Sequence, residues 1–431
     1  MQQKLIVISA DALTYEDVEY LKTLPNYQKY LAGGCRVKKV RSIYPTNTYP
    51  CHTTMRTGVW PDKHGIVSNF EFCPQMQVPP WQRNYASTKW DEDIFKAAKR
   101  AGLTTASVFW PVTGNHPYVD YLITECWPTK GTEDLREVYG GFGSTDEVLD
   151  IMESQLIDGQ WPGAHPDVEE YEIRCAREII LRYQPDLLMI HPGNIDAYRH
   201  TYGVFNEHVT RGIEETDRLI GLLMSAVEEA GLLDCTNLVL TSDHGFLDVE
   251  RFVSPNVLFA EEGLIELNEN KKLKEWKAYC LSGGNSALVY LKNPDDKETY
   301  DKTWEILQKL VSDEKYGVTR VYTAEEALKE EHLAGDFSFV LETADKVCVG
   351  LHLRAPYMRI PDKTDPGYAH GNHGHHPERG IQPVFSAKGP AFQENVTLET
   401  ANLIDHAPTY AKVLGVDLRG VDGRVIEEFI R

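Results

Sequence analysis

A chain of 431 residues with 42% hydrophobic and 25% charged side chains, and with no low-complexity tract or short-period repeat, can bury a sizeable core and is excluded from the disordered class. Its formal net charge of −21 and the lack of any dense Lys/Arg run exclude a reader of DNA or RNA sequence, because the phosphate backbone would be repelled. No apolar run approaches the length of a membrane span, so no membrane partner is expected.

Leu5 to Ser9 (LIVIS) is a β-branched run without alternation, which predicts a strand buried on both faces of a parallel sheet, with Asp11 just beyond its carboxyl end. In the segment Tyr44 to His52, Pro45 and Pro50 keep the chain from being an interior helix until after Pro50. Thr48 is therefore expected near the start of a helix running through His52 to Thr57, where a helix N-terminus attracts phosphate. Thr104 to Trp110, Asp186 to His191 and Asn237 to Ser242 repeat the design of the first strand, each after a helix-like segment. The clearest helix spans Glu207 to Ala230, with Ile213, Leu219, Ile220, Leu223 and Val227 on one stripe and Gly231 at its stop.

Strands alternating with helices predict an α/β fold with a doubly wound, mostly parallel sheet, in which ligands sit outside the carboxyl ends of the strands. From Ser254 to Pro366 the texture changes to Lys- and Glu-rich helices mixed with short strands such as Ser286 to Leu291 and Lys346 to Leu351. This predicts a smaller α+β insertion or cap over 254–366, with 1–253 and 367–431 forming the main domain. Gly380 to Ala387 reads as one more strand and Thr397 to Leu414 as a closing helix. The eight scattered cysteines contain no CxxC pair and are expected to be reduced thiols. The N-terminal apolar run is too short for a secretory signal, so cytoplasmic residence is expected.

Polar residues of metal-ligating type follow these strands. Asp11 follows the first; Asp196 and His200 come after the third, at an i,i+4 spacing that puts both on one face of a helical turn. Asp243 and His244 stand directly at the end of the fourth, with Gly245 allowing a sharp turn, and His373 lies between glycines in Gly371-Asn372-His373-Gly374. A lone aspartate after a strand is often only a cap or turn residue. Three carboxylates and three imidazoles in order along an α/β chain instead suggest a mixed oxygen and nitrogen site for Zn²⁺ or Mn²⁺, with no thiolate required. Bound cations would also supply the local positive charge that so acidic a chain needs to handle phosphate, and would activate a threonine hydroxyl, a poor nucleophile by itself.

On these residues the chain resembles the nucleotide pyrophosphatase/phosphodiesterase family of the alkaline phosphatase superfamily. Thr46-Asn47-Thr48-Tyr49-Pro50-Cys51-His52 is similar to its T-K-T-F-P-N-H nucleophile motif, and Gly58 to Asn69 to the G-x-Y-P-x-x-H-G-I-x-x-N segment that follows. Ile94 to Pro111 resembles the helix leading to its F-F-W-P strand; Asp186 to His200, Thr241 to Gly245 and Gly371 to Gly374 resemble its P-D-L-L with D-x-x-x-H, its x-D-H-G and its G-x-H-G. The resemblance implies an alkaline phosphatase-like fold and two divalent metal ions, zinc first and manganese as the alternative. One would be held by Asp196, His200 and His373, and the other by Asp11, Thr48, Asp243 and His244. It further implies Thr48 as the nucleophile of a phosphothreonine intermediate, Asn69 as a holder of a non-bridging phosphate oxygen, and a small-molecule phosphate ester as substrate.

Two positions depart from the family pattern. Asn47 replaces its Lys and Cys51 its Asn, which bears on substrate preference. The expected activity is hydrolysis of phosphodiester or pyrophosphate bonds in nucleotide-type substrates. A phosphonoacetate hydrolase or phosphomonoesterase on the same frame is the alternative, with Arg56, Lys63 and Arg199 as candidate cations for a third phosphate oxygen; a phosphomutase and a catalytically inactive phosphate-binding module are the more distant ones. Trp60, Phe70, Phe72, Trp110 and Tyr198 are candidates for stacking on a base.

Overall fold

Lys4–Ser9 (β1) is buried along almost its whole length because strands pair on both its edges and helices cover both its faces. The computed structural model describes residues 2–76, 79–128, 133–362 and 369–431. With Cys35–Arg41 (β2), Thr105–Val108 (β3), Tyr121–Ile123 (β4), Leu187–Ile190 (β5) and Thr236–Thr241 (β6), β1 belongs to an eight-stranded sheet. Its order is Thr397–Asn402, β2, Phe385–Lys388, β6, β1, β5, β3, β4. All pairings are parallel except the two made by Phe385–Lys388, which runs against both β6 and β2.

Period-two geometry divides the strands between two cores. Ile6, Ile8, Leu188, Ile190, Leu238 and Leu240 pack on one face against the helices Asp167–Tyr183 and Glu207–Glu229. Leu5, Val7, Leu187, Met189 and Val239 pack on the other against Met55, Phe95 and Tyr410 from three more helices. Every strand end at which a polar site residue was expected therefore opens on the same rim of the sheet.

The segment after residue 254 has a hydrophobic cluster of its own, including Phe259, Leu288, Leu307 and Val340, which meets the main body at Tyr44 and Val67. It contains an antiparallel sheet in the order Ala278–Ser282, Ser286–Leu291, Phe339–Thr343, Val318–Thr323. Leu247–Val253 ties it to the returning chain by pairing with Lys346–Val349, Met358–Arg359 and Gly371–Asn372. The expected boundary at residues 366 and 367 lies outside the described residues.

The predicted closing helix is corrected at its start. Thr397–Asn402 is a strand laid parallel on the open edge of β2, and the helix begins only at His406, running His406–Leu414. The segment TLETAN has two threonines and no apolar helical stripe, so an available sheet edge outweighs weak helix propensity.

Two buried features make the body sensitive to single changes and to acid. Arg56, on the helix Thr48–Thr57, is fully buried against Asp93, which also accepts from His116 Nε2 at 2.8 Å and caps the helix Ile94–Arg100 through Lys96 N at 2.9 Å. Burial works against an ionised Asp93, but His116 and Arg56 together hold its carboxyl below the ordinary carboxylate range. Asp93→Ala leaves a guanidinium uncompensated in the interior and is expected to cost about 3 kcal/mol in urea denaturation.

His64 and His406 are fully buried, and burial pushes each imidazole down to about 3. Both bind a proton in the unfolded chain near pH 6.5 but not in the folded one. Their contribution is complete above that pH and is lost as the pH falls towards 3, by about 1.4 kcal/mol per pH unit for each. Unfolding free energies measured at pH 7.5 and 5.0 are expected to differ by about 2 kcal/mol per histidine, and each His→Gln variant should remove its share of the difference.

Candidate metal centre

Seven side chains from five separate parts of the chain meet at the carboxyl rim of the sheet. Asp11 leaves β1, and Asp243 and His244 leave β6; Asp196 and His200 lie on the helix Asn194–Tyr202 after β5, and His373 follows Gly371–Asn372. Thr48 is the first residue of the helix Thr48–Thr57, with Asn47 as its N-cap. Close backbone approach makes two glycines necessary: a Cβ on Gly245 would lie 1.6 Å from the Ile381 carbonyl oxygen, and one on Gly374, at φ +88°, 1.7 Å from that of Gly283.

The seven fall into two adjoining groups. His244 Nε2 is 3.2 Å from Thr48 Oγ1, 3.3 Å from Asp11 Oδ1 and 3.2 Å from Asp243 Oδ2. Asp196 Oδ2 is 3.5 Å from His200 Nε2, and Asp196 Oδ1 is 3.8 Å from His373 Nε2. Asp11, Asp196 and His244 link the two groups, with ligand atoms all within 4.8 Å of one another, and the rings of His244 and His373 stack at 3.9 Å.

Hydrogen bonds fix the ring tautomers. His373 Nδ1 faces two acceptors at 3.0 Å, the Thr46 carbonyl and Asn47 Oδ1, so it donates and its Nε2 carries the lone pair. His200 Nδ1 donates to the Gly371 carbonyl at 3.0 Å and His244 Nδ1 to that of Gly245 at 3.2 Å. Three imidazole lone pairs thus converge on carboxylate oxygens, and Asp11 Oδ1, Asp196 Oδ1 and Asp243 Oδ2 are buried with no hydrogen-bond donor. Oxygen and nitrogen lone pairs pointed at each other in a buried site repel unless a cation lies between them, so this donor set fits divalent metal ions.

The electrostatics agree. Burial, with Asp196, Asp243 and Glu125 nearby, pushes the Asp11 carboxyl well above the usual range. Burial opposes ionisation of Asp243 too, but His244, His52 and His191 outweigh it and hold that carboxyl below the range. Burial next to His244 and His200 drives His373 well below the ordinary imidazole value, as a neutral ligand requires.

Asn69 Oδ1 accepts the backbone N–H of Tyr49 at 2.9 Å, and the residue lines the pocket. The pocket, about 450 Å³, is walled by Phe70, Trp81 and Trp127. Of the five candidates for base stacking, Phe70 alone lines it. Trp60 stacks on His332, Phe72 on Tyr290, Trp110 is core and Tyr198 packs on Gly212. Both departures from the family motif have a local use: Asn47 orients His373, and Cys51 is buried against Ser42, whose hydroxyl donates to the Asp243 carbonyl at 2.6 Å.

Four polar residues around the cluster went unassigned in the sequence. His191 Nε2 lies 3.0 Å from Asp11 Oδ2, and His52 joins the Thr48 carbonyl at 2.8 Å to Ser9 Oγ at 2.9 Å. Burial lowers His52 to about 4, so it is a neutral brace behind Asp243. Glu125, on the pocket wall, is raised by burial to about 7, and His165 lines the same pocket. The signal for His191 was present, since it closes a strand legible in the sequence, β5; Glu125 follows β4, a three-residue strand that the sequence reading did not include.

The family model for type I phosphodiesterase / nucleotide pyrophosphatase matches residues 5–374. Venom phosphodiesterase 2 of Crotalus adamanteus is 23% identical over 407 residues, covering 91% of this chain and 43% of that protein. Ectonucleotide pyrophosphatase/phosphodiesterase family member 5 of Homo sapiens is 26% identical over 423 residues, covering 96% of this chain and 75% of that protein. The chain thus spans less than half the length of the venom relatives it matches. Among solved structures, murine ectonucleotide pyrophosphatase / phosphodiesterase 5 superposes with a TM-score of 0.68 at 20% identity, covering 99% of this chain and 100% of that one. An inactive variant of the murine protein in complex with AMP gives a TM-score of 0.65 over 98% of this chain and 97% of that one, also at 20% identity. These superpositions show the shared fold.

Proposed function

The chain belongs to the type I phosphodiesterase / nucleotide pyrophosphatase family, and from that premise we propose that it hydrolyses phosphodiester or pyrophosphate bonds of small nucleotide-type molecules with Thr48 as nucleophile. The observation that carries the reading is the position of Thr48 Oγ1: at a helix N-terminus, 3.2 Å from His244 Nε2, in a cluster with three carboxylates that each have a buried oxygen without a donor.

Two divalent ions, zinc with manganese as the alternative, would be held by Asp196, His200 and His373 and by Asp11, Thr48, Asp243 and His244. When bound they supply the charge that acidifies the threonine hydroxyl and neutralises the departing oxygen. The chain does the rest. The helix holds Thr48 in line with phosphorus, and the Tyr49 N–H is fixed by Asn69 Oδ1. The Asn69 amide then donates to a non-bridging oxygen as the phosphorus becomes trigonal bipyramidal. Once the leaving alcohol or phosphate has departed, Thr48 carries the nucleotide through its phosphorus as a phosphothreonine ester, until water attacks from the opposite side and releases the nucleoside monophosphate. Aromatic walls and burial keep other water out.

A diester fits better than a monoester. A monoester presents a third charged oxygen that calls for a further cation, and among the described residues no lysine or arginine lines this pocket. Arg56 is paired with Asp93, Lys63 with Asp422 and Arg199 with Asp17. An AMP complex of the structural relative supports a nucleotide as the group bound. Residence in a reducing compartment, the cytoplasm, is part of the same proposal and is supported by eight free thiols.

The test compares p-nitrophenyl phosphate, a p-nitrophenyl nucleotide diester and phosphonoacetate on the zinc-loaded protein. The diester is expected to lead by tenfold or more in kcat/KM, about 1.4 kcal/mol of differential transition-state binding. A lead for either rival substrate would overturn the assignment.

A further inference from the structure

Of the imidazoles that line the pocket among the described residues, His200 and His373 belong to the metal set and His191 faces Asp11 Oδ2 at 3.0 Å. His165 is the other one and serves neither purpose. It stands just before the helix Asp167–Tyr183, with its side chain 30% exposed. Its Nδ1 lies 2.5 Å from Oε1 of Glu169, one helical turn further on, a side chain that is almost wholly buried. That oxygen also accepts the backbone N–H of Gly193 at 3.2 Å, so it is an acceptor towards the ring as well, and Nδ1 donates. Nε2 has no hydrogen-bond partner among the described residues.

Burial opposes protonation of this ring, but the hydrogen bond and charge of Glu169 outweigh it, with Asp196 and Glu215 adding to them, and hold the imidazole above its ordinary value. Burial, with Glu169 and Glu125 nearby, pushes the Glu172 carboxyl well above the usual range, so Glu172 is the neutral member of this acidic group. The ring also lies on a telling side of the pocket. A Cβ on Gly193 would be 3.9 Å from His165 Cε1, and Gly193 immediately precedes the helix Asn194–Tyr202 that carries Asp196 and His200. In-line displacement puts the departing oxygen opposite Thr48, on the side of Asp196, His200 and His373.

We propose that His165, oriented by Glu169, is the general acid that protonates the departing oxygen. This role rests on the reading of Thr48 as nucleophile given above. As Thr48 Oγ1 bonds to phosphorus and the bond from phosphorus to the departing oxygen breaks, the Nε2 proton passes to that oxygen, and the leaving group departs protonated. His165, now neutral, takes a proton from the attacking water as the water oxygen bonds to phosphorus and the Thr48 oxygen leaves, so that both side chains return to their starting forms. Such a donor matters most for poor leaving groups: p-nitrophenolate is stable as an anion, whereas an alkoxide is strongly basic.

The experiment compares the p-nitrophenyl and methyl diesters of thymidine monophosphate on the zinc-loaded full chain. His165→Gln is expected to lose about 100-fold in kcat on the methyl ester and about threefold or less on the p-nitrophenyl ester, whose continued turnover shows that the variant is folded. Glu125, raised by burial to about 7, is another proton carrier on the pocket wall, so Glu125→Gln is measured alongside. In the wild type, kcat on the methyl ester should fall as the pH rises through the His165 titration, since only the protonated ring donates. Glu169→Gln removes the charge that favours the imidazolium and should move that fall to lower pH. Nitrogen NMR of histidine-labelled protein reads the same ring without turnover: the signal missing from His165→Gln should titrate above about 6.5 in the wild type and lower in Glu169→Gln. Equal losses on the two esters, a selective loss that follows Glu125 instead of His165, or a ring that titrates below the ordinary value overturns the assignment. A wild type that cleaves neither diester sinks the proposed function and this role with it; one that cleaves both, with equal losses in His165→Gln, sinks this role alone.

Discussion

Thr48→Ala is expected to lower kcat for the p-nitrophenyl nucleotide diester by at least about 10⁴-fold, because removing a nucleophile abolishes the two-step route altogether. The fold should survive the change. Thr48 is the first residue of its helix and its side chain does not occupy the N-cap position, so the loss is one hydroxyl that contacts His244. KM is expected to change little, since in this proposal the phosphate is also held by a donor that remains, the Asn69 amide, whose Oδ1 is fixed by the Tyr49 N–H. Thr48→Ser separates chemistry from packing: a hydroxyl on a smaller side chain should recover part of the rate. After mixing with the diester and quenching in acid, the wild type should carry the nucleotidyl group on Thr48, p-nitrophenol having left, detected by mass. An alanine variant that retains more than a hundredth of wild-type kcat would remove Thr48 from the chemistry.

Stripping the metal with a chelator is expected to reduce turnover to background, again by about 10⁴-fold or more, and zinc should restore it. The cause is the packing of three carboxylates, Asp11, Asp196 and Asp243, in one cluster whose pocket is lined by no lysine or arginine among the described residues. The same arrangement predicts a gain in stability on loading. An ion that binds only the folded chain adds about 4 kcal/mol when present at a thousandfold over its Kd. Elemental analysis should find about two ions per chain in the wild type and about one in His373→Ala, since that ring belongs only to the Asp196–His200 group. Less than about one ion per zinc-supplemented wild-type chain, or full turnover after chelation, would refute the metal assignment.

Much of this arrangement was legible before any coordinates. Unbroken β-branched runs such as Leu5 to Ser9 can only be strands covered on both sides, and the structure buries β1 on both faces. The helix Glu207–Glu229 was legible because its apolar stripe is long and its asparagine cap explicit. Weakly patterned segments were not. The stretch Thr397–Asn402 gives no local sign of which element it joins, and the free edge of β2 decided it. The stacking candidates failed for a related reason: Trp110 and Phe72 have the same chemistry as Phe70, and only the path of the chain determines which ring faces a pocket and which faces a core. Likewise Arg56 and Arg199 looked available for phosphate, but each is consumed by a buried carboxylate far away in sequence.

The sequence by itself determined the α/β class, the positions of β1, β3, β5 and β6 and the residue types that follow them, because periodicity, turn residues and side-chain chemistry are local properties. Tertiary structure alone decided which nitrogen of each histidine is free, which carboxylate oxygens lack donors, and that an antiparallel strand closes on β6. These depend on backbone groups brought together from positions hundreds of residues apart, such as Thr46 and His373, and no local pattern encodes that meeting.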